Sequence, residues 1–136
     1  MIIMATKVFV NFPVKDVKAS TAFYEKLGFT VNPTFSDETT TCLVWDDHFF
    51  IMILEHERYE FFIPGRSIAD SQKTSSVLVS FSMNSADEVR EFGRIATENG
   101  GNVYQLETGI SEEYMLGLEV QDLDGNTLEP MWMAEA

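Results

Sequence analysis

Cysteine, histidine and basic residues are all scarce in this chain. A single cysteine, Cys42, in 136 residues excludes an internal disulfide and a cysteine-rich zinc site. Only nine Lys and Arg stand against 22 Asp and Glu, for a formal net charge of −13. That balance leaves no basic face to neutralise nucleic-acid phosphates or to dock on anionic membranes, so neither partner is expected. No apolar run approaches the roughly 20 residues that span a bilayer. The start, Met1-Ile-Ile-Met4, is too short for a signal-peptide core, and a cytoplasmic location is expected. Catalytic signatures are lacking too: there is no Gly-x-Ser-x-Gly, no phosphate loop and no dinucleotide fingerprint.

What is present is an ordinary apolar fraction, 45%, in a length that suits one domain with a real core. The most informative stretch is Asp122-Leu-Asp-Gly-Asn-Thr-Leu-Glu129, followed by Pro130-Met-Trp-Met133. Asp124-Gly125-Asn126 signals a tight turn. Beyond it, Thr127, Glu129 and Met131 share one face of a strand, and Leu128, Pro130 and Trp132 the other. Glu129 is the odd member. A carboxylate in an apolar run is costly to bury unless it is answered, so its face is either wet or lines a site.

Along the chain, Val8–Phe12 reads as a strand closed by Pro13. A helix follows over roughly Val17 to Leu27, with Ala19, Phe23 and Leu27 as its apolar stripe, Asp16 or Ser20 as N-cap and Gly28 at its end. Phe29–Val31, Cys42–Trp45 and Phe49–Leu54 are further strands. A long connection covers Glu55 to Ser76, broken at Pro64-Gly65, with a short helix near Ser67 to Gln72. The plan then restarts. Val77–Met83 is a strand, and Ala86–Asn99 a helix with Val89, Phe92, Ile95 and Ala96 on one face. Strands at Val103-Tyr104, Tyr114–Gln121 and Thr127–Met133 complete a second set. Phe12 and Phe81, Val14 and Met83, and Phe23 and Phe92 are each 69 residues apart, whereas Gly28 and Gly101 are 73 apart. A second helix lengthened by about one 3.6-residue turn keeps its buried face, as a structural duplication requires.

Val14-Lys-Asp16, Phe23-Tyr24, Leu27-Gly28-Phe29 and Asp122–Glu129 together resemble the vicinal oxygen chelate superfamily, over nearly the whole chain from about Lys7 to Met133. This group includes glyoxalases, bleomycin-resistance proteins, extradiol dioxygenases and fosfomycin-resistance enzymes. The resemblance implies an α+β fold of two tandem βαβββ modules forming a curved mixed sheet. The modules lie at about 7–55 and 77–133 of one domain spanning 1–136, with residues 56–76 connecting them. It also implies a cup-like site, a homodimer and, in the enzymes, a divalent metal held by His, Gln or Glu from four strands.

Carried over by position, most of that ligand set is missing. The first-strand ligand falls on Phe9 and its counterpart in the second half on Leu78. The last-strand Glu is Glu129, and the remaining position falls on Ile53 or on Glu55. A metal is therefore not expected. If one bound, Glu129, Glu55 and His56 would hold it.

The period of two puts Asn11, Ser80 and Ser82 on the cup-facing side with Phe9, Leu78, Glu129 and Met131, a ligand pocket of few polar groups among apolar ones. Tyr59, Phe61 and Phe62 are expected to pack onto the sheet or a partner rather than form a lid. Trp45 and Trp132 are expected in the core or at a dimer interface, and His48 is a turn residue. The leading expectation is a protein that binds a small molecule in the cup without a metal or other cofactor; the acidic charge would suit a cationic one. The alternative is a metal-dependent lyase or dioxygenase-like enzyme with a divergent site.

Overall fold

The structure is a computed structural model that describes residues 5–135; the apolar start Met1–Met4 lies outside the described residues. The chain forms two compact units, Met1–Ile68 and Ala69–Ala136. Each carries a mixed sheet with one long helix, giving the α+β class. No helix among the described residues is long and apolar enough to cross a membrane.

In the first unit, β1 (Val8–Val14), α1 (Val17–Lys26), β2 (Thr30–Asn32), β3 (Thr40–Val44) and β4 (Phe49–Glu55) follow in order. They pair as β1-β4-β3-β2, with β1 and β4 parallel and the other pairs antiparallel. β1 runs through Pro13 instead of ending there. It lies at the edge of the sheet, where a missing N–H is tolerated. Asp16 caps α1 by accepting from the Ala19 N–H at 3.0 Å. The buried stripe of α1 is Ser20, Phe23 and Tyr24, extended by Leu27 at the C-cap. Ala19 is exposed, so the stripe expected from the sequence is rotated by one residue at its start. These side chains cover Phe12, Val14, Ile51 and Ile53 in the core of the unit.

The second unit repeats the plan with β5 (Leu78–Ser82), α3 (Ala86–Glu98), β6 (Asn102–Tyr104), β7 (Met115–Gly117), β8 (Glu119–Gln121) and β9 (Thr127–Met133). The order is β5-β9-β8-β6, and β7 continues the line of β8 alongside β9. Pro130 explains the gap between β7 and β8. It sits inside the central strand with no N–H to give, although its carbonyl still accepts from the Leu118 N–H at 3.2 Å. Ser85 caps α3 through the Glu88 N–H, and Glu88 reaches back to the Asn84 N–H.

α3 has 13 residues against 10 in α1. The glycine with positive φ after each helix is Gly28 in the first unit and Gly100 in the second. The helix is thus three residues longer, not four, and Gly100 rather than Gly101 matches Gly28. The extra residues fall after Ala96, so Phe92 and Ala96 are buried as Phe23 and Leu27 are. The connection also departs from expectation. Its helix is α2 (His56–Phe61), and Ser67–Gln72 is not helical. That latter stretch has another task. Ser71 and Gln72 lie against the turn at Gly125, where a Cβ would stand 2.7 Å from the Ser71 carbonyl carbon.

Candidate functional site

The turn after β8 is built by one side chain. Asp122, 4% exposed, accepts from the backbone N–H groups of Asp124 and Asn126 at 2.9 and 3.0 Å and from Asn126 Nδ2 at 3.0 Å. Gly125 takes φ 91° within it. The motif Asp122–Asn126 is therefore structural: it sets the register of the strands on either side.

That register decides the site. Gly117 pairs with Met131 and Val120 with Leu128, so Glu119 stands directly opposite Glu129. On its other side Glu129 pairs with Ser80, and Glu119 pairs with Tyr104. Ser80, Glu129, Glu119 and Tyr104 thus form one row across four strands, on the face away from α3. The Ser80 hydroxyl donates to Glu129 Oε1 in a short contact. Like charges facing each other across a strand pair repel. Burial first, then the hydrogen bond and charge of Glu129, push the Glu119 carboxyl up to about 7. Glu119 Oε2 is buried and has no hydrogen-bond partner among the described residues. A proton on Glu119 would turn that carboxyl into a donor toward Glu129.

The row opens into a cleft of about 520 Å³. Met115, Leu118 and Met131 give it apolar walls, and the loop Gln105–Glu112 closes one side with Glu107 and Glu112. Among the described residues, its lining contains no Lys, Arg or His. Arg90 lies outside, bound to Glu112 at 3.3 Å and to Asp87 at 3.2 Å.

Of the residues expected in the pocket, Ser80, Glu129 and Met131 line this cleft. Leu78 and Ser82 share their face but are exposed and do not line it. Phe9 is half exposed and stacks on Phe50 at 4.5 Å, while Asn11 lines a separate cleft within the first unit. Glu119 was missed. One signal pointed to it: Glu119 and Glu129 are each five residues from Asp124, the middle of the hairpin.

The remaining ligand position is settled by the first unit's register. Asn11 pairs with Met52 as Ser80 pairs with Glu129, so the counterpart of Glu129 is Met52, neither Ile53 nor Glu55. Ile53 is fully buried on the helix side. Glu55 pairs with Val14 on that same side, and His56 is exposed at the start of α2. No group of three or more His, Cys, Asp or Glu close enough to hold a metal occurs among the described residues. Phe9, Leu78 and Met52 therefore stand where the resemblance implies oxygen or nitrogen ligands, and the donor set does not fit that metal.

Phe61 and Phe62 are exposed rather than packed on the sheet, and both rings flank Arg58. Trp45 packs on Phe29 at 5.0 Å, and His48 is exposed in its turn.

Residues 6–45 match the model for the bleomycin resistance protein-like N-terminal family. No curated protein matches the chain. Among solved structures, a hypothetical protein of S. aureus is 24% identical over 95% of each chain, with a TM-score of 0.74. A glyoxalase/bleomycin resistance protein/dioxygenase family enzyme of Burkholderia phytofirmans is 17% identical over 96% of this chain and 100% of its own, at 0.75. A bleomycin-binding protein complexed with bleomycin is 22% identical over 96% and 100%, at 0.63. The fold is that of the glyoxalase, bleomycin-resistance and dioxygenase proteins.

Proposed function

We propose that the protein binds a cationic small molecule in the cleft of its second module, without a resident metal, and that it does so as a cytoplasmic homodimer. The observation that carries the reading is the directly opposed pair Glu119 and Glu129, facing a cleft with no cation of its own. Two carboxyls at one spot hold excess negative potential that only a proton or a cation relieves. The apolar walls add the burial that a small organic ligand needs. A protein of the same fold that holds bleomycin supports binding as the mode of action.

The test is thermal denaturation of purified protein in EDTA with bleomycin and, separately, with spermidine. Either should raise the melting temperature, and Glu129→Gln should weaken binding about tenfold by removing a charge-assisted contact. No shift with either probe at millimolar concentration, or an unchanged affinity in the variant, sinks the reading. Stoichiometric divalent metal on elemental analysis would instead support the lyase or dioxygenase-like enzyme. A sedimentation mass near 15.4 kDa at micromolar concentration would remove the homodimer.

A further inference from the structure

The first module carries a second cleft, about 310 Å³, on the face of its sheet away from α1. Its floor is apolar, from Met52 and Leu54, and Asn11 and Thr40 add polar groups beside them. Phe35 and Phe62 rise at its walls, 67% and 57% exposed. Arg58 enters from α2. Its guanidinium lies 5.0 Å from the centre of the Phe61 ring and 4.9 Å from that of Phe62, so the aromatic faces hold it in place.

Among the described residues, Arg58 makes no hydrogen bond or ion pair. Arg90 and Arg94, by contrast, are each tied to two carboxylates. In a chain with 22 acidic residues, an arginine positioned by rings instead of by a carboxylate keeps its forked donors available. The nearby carboxyl in the cleft, Asp37, is engaged by the Thr39 N–H at 2.8 Å and the Thr39 hydroxyl at 2.9 Å. Those contacts, with a smaller contribution from Arg58, hold its carboxyl below the usual range.

We infer that this cleft is a second ligand site, selective for a small aromatic carboxylate. Arg58 receives the carboxylate through parallel N–H donors, and the ring lies on Met52 and Leu54 between Phe35 and Phe62. A guanidinium matches a planar carboxylate where an ammonium does not. This site has the opposite charge preference to the cleft of the second module and does not depend on the reading given for that one.

The probe is benzoate, with benzylamine as the cationic control of the same shape, followed by NMR shifts of the Asn11 and Thr40 amides. Benzoate should shift them saturably in the millimolar range and benzylamine should not. Arg58→Gln should weaken benzoate at least tenfold with an unchanged melting temperature, and Arg58→Lys should recover only part of the loss. Glu129→Gln should leave benzoate binding as it is, which separates this result from the test of the acidic cleft. Absence of benzoate binding up to 10-fold above the millimolar range, equal binding of benzylamine, or an unaffected Arg58→Gln would each overturn the inference.

Discussion

The two modules fold alike and differ where chemistry is possible. Each sheet has one row of four paired residues at the same topological place. In the first module it reads Asn11, Met52, Cys42 and Asn32; in the second it reads Ser80, Glu129, Glu119 and Tyr104. On the opposite face the two modules agree, with Phe12 and Phe23 under the first helix and Phe81 against Phe92 under the second. The helix side must fill a core of fixed shape, so bulky apolar side chains recur. The other face is not covered by the helix, and there one copy has an opposed carboxylate pair while the other has a buried thiol and a thioether.

The comparison is broken most severely through the shared core. Phe23→Ala and Phe92→Ala should each cost about 3–5 kcal/mol in denaturant unfolding. A loss below about 1 kcal/mol in either would mean that the two helices do not play equivalent parts. Next comes the turn before β9, which passes through a glycine of positive φ. Gly125→Ala places a Cβ against the Ser71 backbone at positive φ, and should cost about 2–3 kcal/mol because backbone yields less than a side-chain tip.

Smaller, and specific to the acidic row, is the effect of pH. The folded state raises the Glu119 carboxyl from 4.5 to about 7. The folded chain therefore binds this proton more tightly than the unfolded one. The stability it contributes is full below about pH 4.5 and is lost as pH rises toward 7. Glu119→Gln keeps the shape and removes that dependence. At pH 8 the variant should be more stable than the parent by about 1–2 kcal/mol, allowing for screening in an open cleft. Equal stability curves across pH 5–8 would mean that the opposed pair is not strained. The smallest effect is expected at Arg58, whose exposed side chain forms no ion pair among the described residues: Arg58→Gln should change stability by less than about 0.5 kcal/mol.

Some of this was legible in the residues themselves. Local signals carry far: helix periodicity, the Asp16 cap, Gly28 after the first helix and the Asp124-Gly125-Asn126 turn all act within a few residues, and the structure has each in place. Alternation along β9 put Thr127, Glu129 and Met131 on one face, and that too is observed. The repeat was also visible, because equal cores demand equal spacing of Phe12, Phe23, Phe81 and Phe92. The α2 helix was not, since His56–Phe61 is too short for periodicity to speak.

Only the tertiary structure decided which side chains meet. Glu119, on its own strand, is an ordinary polar residue in an alternating segment. It becomes the raised carboxyl only because Asp122 folds the turn so that strand pairing places it opposite Glu129. Met52 became the counterpart of Glu129 through the parallel pairing of β1 with β4, a register between segments some forty residues apart that no local pattern sets. Arg58 keeps its donors available because two phenylalanine rings flank it and the carboxyl in its cleft, Asp37, bonds to Thr39 instead. Composition determined the charge and the absences; pairing across strands determined where that charge is concentrated, since a one-residue slip would turn every one of these side chains to the other face.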